Sequence, residues 1–192
     1  MARGVADKRS AILRAAVRLF GSGHYHSTTI PSLAREAGVA EGSIYNYFKS
    51  KEEVAFVALA EATAALERDL VAAVPRQAAP LEQLSYAAAT LLQLAEEDLE
   101  AARYVLVSDH ETFLGARASD AHSLRRVICR LVAAAAERAE TRDAPVELLA
   151  GVWLAVVRAA IAARASGVLV TPLVDVADAI AAGAVDAVRR AD

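Results

Sequence analysis

Between residues 42 and 51, in G-S-I-Y-N-Y-F-K-S-K, a run of polar side chains has the spacing to recognise a polyanion. Ser43, Asn46 and Tyr47 fall on one face of a short helix, opposite Ile44 and Phe48, which are four apart and face inward. Their hydroxyl and amide groups can donate to phosphates or reach base edges, and Gly42 removes bulk where the helix start would approach a groove. Ser50-Lys51-Glu52-Glu53 reads as a Ser-x-x-Glu capping box, which places Lys51 at the positively polarised start of the next helix. A phosphate would be stabilised there. The chemistry is that of recognition, with no bond made or broken.

These side chains need a scaffold, and the preceding residues supply one. Thr29 can cap a helix that begins at Ile30, and Pro31 falls in its first turn, where the missing N–H costs nothing. Ile30, Leu33, Ala34 and Ala37 recur at helical spacing, and Gly38 stands where a left-handed residue would close the helix before Val39. A second short helix is expected from Glu41 through Phe48. Two short helices about a Gly-Val turn, spanning Thr28 to Val54, form the pattern of a DNA-reading helix-turn-helix.

Charge distribution agrees with that reading. Residues 1–51 carry eight Lys or Arg against three acids, a net of +5, so the remaining chain carries −8 within a total of −3. All three lysines, Lys8, Lys49 and Lys51, lie in this head. A basic head on an acidic body combines attraction to phosphate with solubility.

The chain of 192 residues is rich in alanine and leucine and has no long alternating stretch, which predicts an all-helical fold. A first helix from about Lys8 to Ser22 would brace the reading pair, after a basic arm, Met1 to Ala6, expected to be disordered, from which Arg3 could reach DNA. The fourth helix should run from Ser50 to about Val74, where Pro75 stops it. Further helices are expected from Pro80, over 99–108, over 119–140, from Pro145 to Ser166 and from Pro172 to Arg190, with a possible break at Asp109-His110-Glu111-Thr112. The expected division is a DNA-binding domain over 1–51 and a larger helical ligand-binding and dimerisation domain over 52–192. The last two helices show more apolar surface than one partner helix needs, which points to a homodimer.

Several functions lack the residues they require. An enzyme would need a nucleophile beside a base, paired carboxylates or a cofactor loop, and none is visible; Ser119-Asp120-Ala121-His122 reads as a helix start. Cys129, the single cysteine, excludes an internal disulfide and reads as a small core residue. No Cys/His spacing suits zinc, and Asp109, His110, Glu111 and His122 would diverge around their helix, so neither metal nor cofactor is expected. The longest uninterrupted apolar runs, such as Leu148 to Val157, are too short for a bilayer, and no secretory apolar core follows Met1, so the expected location is the cytoplasm and no membrane partner is expected. An architectural nucleoid protein could use the same head without a ligand.

The segment Thr28 to Val54, preceded by L-F-G-S-G-H-Y in the first helix, resembles the tetracycline-repressor-like (TetR) family of bacterial transcription regulators over about residues 9–55. The resemblance implies a homodimer on a palindromic operator in double-stranded DNA, usually a repressor released by a small molecule held in the helical body. By position it implies that Thr29 touches phosphate, that Tyr45 holds the backbone through a Y-x-Y/H-F motif, and that Lys51 is the lysine at the start of helix 4. Gly42, Ser43, Asn46 and Tyr47 match the base-facing surface. Pro31 stands where relatives often carry a polar or basic residue.

In such a body, polar side chains either face water or line a pocket. Tyr86, Thr90 and Gln93 form one polar stripe, while Arg103 with Tyr104, Asp109-His110-Glu111, and His122-Arg126-Cys129 offer other polar groups. Arg126 or Arg103 could pair with an acyl thioester or carboxylate, and is equally at home in a surface ion pair. The candidate effector residues are therefore Tyr86, Thr90, Arg103, Tyr104, His110, Arg126 and Trp153, the last reading more as a core or interface residue than as a ligand lid.

Overall fold

The computed structural model describes residues 2–115 and 123–191. Every regular element among them is a helix, as the sequence pattern predicts. The chain divides into two compact units, Met1–Thr63 with Glu100–Ala121, and Ala64–Leu99 with His122–Asp192. The division expected at residue 51 coincides with a helix start, whereas packing carries the first unit on to Thr63 and adds residues 100–121 to it.

The first unit contains α1 (Ala2–Gly21), α2 (Ile30–Ala37), α3 (Glu41–Tyr45), the beginning of α4 (Lys51–Ala73), nearly all of α6 (Leu99–Leu106) and the short α7 (Glu111–Leu114). Its core joins Ile12, Leu13, Ala16 and Phe20 of α1 to Leu33 and Ala34 of α2, Ile44 of α3, Phe48, and Val54, Ala55 and Leu59 of α4. The arm expected to be disordered is helical from Ala2. No proline intervenes before the buried stripe, and once that stripe nucleates a helix, each further turn adds hydrogen bonds at little entropic cost. The side chain of Arg3 lies outside the described residues.

α6 is seated against α1 by a close backbone approach. A Cβ placed on Gly21 would lie 2.6 Å from the carbonyl oxygen of Glu100 and 3.2 Å from Tyr104 Cβ. Tyr104 is fully buried, and its hydroxyl donates to the carbonyl of Ala55 at 2.8 Å. The ring meets Phe20 at 6.2 Å and His110 at 5.2 Å. At the expected break, Asp109 accepts from the backbone N–H and hydroxyl of Thr112, which starts α7.

The second unit contains the rest of α4, α5 (Pro80–Glu97), α8 (Ser123–Glu137), α9 (Val146–Ala165) and α10 (Leu173–Val188). The start expected for α8 at Ser119 and the residue His122 lie outside the described residues. Prolines open three of these helices as expected: Pro80 is the first residue of α5, and Pro145 and Pro172 precede α9 and α10. α10 packs on α5 and α9, and α8 on the same two. Leu84, Leu91 and Leu92 of α5 and Trp153, Val157 and Ile161 of α9 are all buried, with almost no exposure.

One expectation about α9 is corrected. The helix has 20 residues, and its most apolar 18-residue window has a mean hydropathy of 1.9, which makes it long and apolar enough by length and composition to cross a bilayer. Uninterrupted runs missed this because Arg158 divides the helix, yet the average over the window stays high with Arg158 included. In this fold Leu149, Ala150, Trp153, Val157 and Ile161 are buried in the second unit's core instead.

Glu96, near the end of α5, closes this unit. Its carboxylate accepts from Arg164 through Nε at 3.2 Å and Nη2 at 2.8 Å, and from the backbone N–H of Leu173 at 2.8 Å. One anion thus ties the end of α5 to the end of α9 and satisfies an amide in the first turn of α10, where negative charge is favourable. Arg164 above all, then the Leu173 amide, lower the Glu96 pKa from 4.5 to about 2.

Two expected outcomes follow from this packing. Gly21→Ala should lose about 1–3 kcal/mol from overpacking, whereas Gly42→Ala, whose Cβ meets nothing within 4 Å, should not destabilise the fold; urea unfolding measures both. A carboxylate with a lowered pKa contributes stability above its ordinary value and loses it as pH falls. Glu96→Gln should therefore flatten the decline in stability between pH 4.5 and about 2, read from melting temperatures against pH.

Candidate nucleic-acid interface

α2 is capped at both ends by its own sequence. The hydroxyl of Thr29 accepts from the Ser32 N–H at 3.3 Å, and the Ser32 hydroxyl accepts from the Thr29 N–H at 2.9 Å, a reciprocal capping box. Gly38 has φ +67°, and Val39 N–H reaches back to the Ala34 carbonyl at 3.0 Å. This left-handed ending turns the chain sharply into α3. Thr29 itself is exposed.

α3 is shorter than expected. It ends at Tyr45, and Asn46 and Tyr47 lie in the turn that follows, held by Tyr47 N–H and Phe48 N–H donating to the Ile44 carbonyl at 3.0 and 2.9 Å. Burial of Ile44 and Phe48 fixes this segment's orientation, so that Gly42, Tyr45 and Asn46 are exposed and Ser43 and Tyr47 half-buried. Tyr45 is 57% exposed, far more than an aromatic ring gains from without a partner. Tyr47 packs partly on the head core and lies 6.4 Å from the Phe48 ring.

Lys51 differs from the simple expectation of a cation awaiting phosphate. Its ammonium donates to the carbonyls of Tyr25 at 2.9 Å and Thr28 at 3.1 Å, and sits 4.3 Å from the centre of the Tyr25 ring. It braces the connection between α1 and α2 from the start of α4. Beside it the Tyr25 hydroxyl donates to Glu52 at 3.4 Å; burial first, then the Glu52 charge, pushes that phenol up to about 12. The capping box at α4 is also offset by one residue. Ser50 accepts from Glu53 N–H at 3.2 Å, but the Glu53 carboxylate takes the N–H of Lys49.

Of the head's other cations, Arg9 pairs with Glu61 at 2.7 Å and Arg18 with Glu36 at 2.8 Å. Lys8, Arg14, Arg35 and Lys49 are exposed or nearly so and have no ion pair among the described residues. The surface beside α2 and α3 thus keeps positive charge available.

The candidate effector residues are divided between the two units. Arg103, Tyr104 and His110 belong to the first unit, and Tyr86, Thr90, Arg126 and Trp153 to the second. Tyr104 spends its hydroxyl on Ala55, and His110 is buried edge-on to its ring. Arg103 has a guanidinium nitrogen 3.5 Å from where a Cβ on Gly23 would stand. In the second unit Tyr86 and Arg126 are exposed, Thr90 is half-buried, Gln93 donates to Glu97, and Trp153 is core with its indole N–H buried. Polarity within an apolar helix marked these residues, yet it cannot tell a pocket wall from an outer face. The cleft that does exist is floored by aliphatic residues of α4 and α8 and rimmed by Arg76 and Arg130, a pattern of exposed valine beside unpaired arginine that no single helix reveals.

Residues 12–58, which contain the whole reading pair, match the profile described as bacterial regulatory proteins, tetR family. The head is thus similar to the DNA-binding segment of TetR-family regulators. Among the chain's relatives, the HTH-type transcriptional regulator HbdR of Aromatoleum sp. (strain CIB) is 32% identical over 121 residues, 56% of this chain and 53% of HbdR. The chain thus matches about half of that relative's length. A TetR regulator from Marinobacter aquaeolei VT8 superposes over 100% of both chains with a TM-score of 0.84 at 19% identity. FadR of Bacillus subtilis, solved with stearoyl-CoA, superposes over 93% of this chain and 98% of its own with a TM-score of 0.79 at 19% identity. At such identities these two structures show likeness of fold alone.

The bracing of the head gives a direct test. Lys51→Met should lower stability by about 1–3 kcal/mol through loss of its charge-assisted bonds, whereas Lys49→Ala should stay within about 0.5 kcal/mol, both measured by urea denaturation.

Proposed function

We propose that this protein is a cytoplasmic, homodimeric transcription regulator of the TetR family, a repressor that binds a palindromic operator and is released by a small molecule in its second unit. The observation that carries the reading is the exposed Gly42-Tyr45-Asn46 surface, held by buried Ile44 and Phe48 in a basic head of TetR sequence. Asn46 and Tyr47, with Ser43 and Gly42, face base edges in the major groove. Thr29 and Tyr45 hold phosphates. Lys51 serves the same contact indirectly, through the polarised N-terminus of α4 and by fixing the loop before α2.

Two exposed apolar faces support the homodimer. On α9, Leu148, Val152, Ala155 and Ala159 form one uncovered stripe, and on α10, Val174, Ala179, Ala182 and Gly183 are exposed. Joined to their symmetry mates, these helices form a four-helix interface, and the two heads meet successive major grooves about 34–36 Å apart, or a multiple of it. α4 runs from the head into the second unit without a break, so a ligand that displaces its far end changes the spacing of the heads. Coupling of this kind is reciprocal, and the ligand is bound less tightly on DNA by the factor by which it weakens DNA binding.

Selection from a random duplex pool at near-physiological salt tests the reading. A single palindrome should emerge, bound at least about a thousandfold more tightly than random DNA; weak, salt-sensitive binding without a motif would indicate an architectural protein instead. On that palindrome Tyr45→Phe should weaken all sequences alike, and Asn46→Ala should alter the preferred bases. Val152→Asp should halve the mass seen by sedimentation; an unchanged mass would place the dimer contact elsewhere.

A further inference from the structure

The second unit has an apolar cleft of about 320 Å³ where the last turns of α4, the loop after it and α8 converge. Leu70, Val71 and Val74 of α4 face Val127 and Leu131 of α8 across it. Leu70 and Val127 are buried, but Val71 is 43% exposed, so part of this aliphatic floor meets water. That is unfavourable unless something covers it.

The rim is cationic. Arg76 and Arg130 line the cleft, and neither has a carboxylate within ion-pair distance among the described residues. Arg126, one helical turn before Arg130, is exposed and likewise without an ion pair there. Arg125, by contrast, donates to the carbonyl of Glu147. Residues 52–192 carry a net charge of −8, so arginines left without acid partners beside the same cleft run against the unit's overall balance. The loop bearing Arg76 is also held in place. The Gln83 side-chain amide donates to the carbonyls of Pro75, Arg76 and Ala78 at 3.2, 3.1 and 3.1 Å.

We infer that this cleft binds a soluble anionic amphiphile, a straight acyl chain along the valine and leucine floor whose carboxylate, or thioester-linked phosphates, meets Arg76 and Arg130. Both halves of the ligand are needed. The floor offers no hydrogen bond to fix a polar molecule, and two exposed guanidiniums bind a bare anion weakly against screening. The volume is at the low end of small-molecule sites, about 300–1,000 Å³, which suits a chain of modest length. The inference rests on the regulator reading and names the site and class of its effector: an occupant here ties the last turn of α4 to α8.

The test is calorimetric titration of the full chain, below micelle-forming concentrations, with sodium decanoate, decanoyl-CoA, 1-decanol and CoA alone. Decanoate or decanoyl-CoA should bind, and the stronger of the two identifies the head group. Affinity should rise about fourfold for each methylene from the hexanoyl to the decanoyl member. Arg76→Gln and Arg130→Gln should each weaken the anionic probe roughly tenfold while leaving decanol unchanged. Both arginines are exposed, so the variants should melt with the wild type. No binding by either acyl anion, CoA alone binding as tightly as its thioester, or an affinity indifferent to both substitutions would overturn the inference. Binding of the unliganded protein to its selected palindrome, measured on the same preparation, separates the two questions. A protein that keeps its palindrome but binds no acyl anion is still the regulator and loses only this effector, whereas one with no palindrome loses the regulator reading itself.

Discussion

The reading surface depends on where the ammonium of Lys51 rests. It joins the start of α4 to the carbonyls that precede α2 and lies against the Tyr25 ring, at a point where α1, α2 and α4 all converge. Charge-assisted hydrogen bonds contribute about 1.5–3 kcal/mol each, whereas an exposed ion pair contributes about 0–1 kcal/mol. Moving this cation out to a surface phosphate would give up the stronger interaction for the weaker one. The lysine therefore acts as part of the frame that presents α3, and the charge that attracts a polyanion comes from its exposed neighbours.

That frame explains why α6 belongs with the head. Gly21 lets α1 approach the Glu100 backbone, and Tyr104 fills the space beside it with its hydroxyl committed to Ala55. A helix far along the sequence thus completes the core on which α1 and α4 rest. In the second unit Glu96 has a comparable role, gathering the ends of three helices with one carboxylate. In both units the decisive polar groups face inward to backbone or to a single partner, and apolar burial supplies the bulk of the stabilisation.

Much of the head was legible in the sequence because its signals are local. Thr29, Pro31 and Gly38 specify the two ends of α2 by capping and backbone conformation, and Ile44 with Phe48 sets the inward face of the next segment. The length of α3 was less legible, since the helical spacing of Ile44 and Phe48 persists through the turn in which α3 has already ended. Lys51 was placed correctly along the chain, but its partners are carbonyls more than twenty residues away, which no local pattern encodes. The same limit applies to the body. Tyr104 looked like a ligand group because it is large and can donate, whereas the fold buries it as it buries Trp153, and the cleft is assembled from ordinary valines and arginines brought together only by packing.

The central claim is that α3 and the turn after it read DNA from a frame held by Lys51. A crystal structure of the full chain with its selected duplex tests this most directly. The account predicts Asn46 and Tyr47 in the major groove, Tyr45 against the backbone, and the Lys51 ammonium still on the carbonyls of Tyr25 and Thr28. A Lys51 side chain swung out to a phosphate, or a duplex bound away from α3, would contradict it.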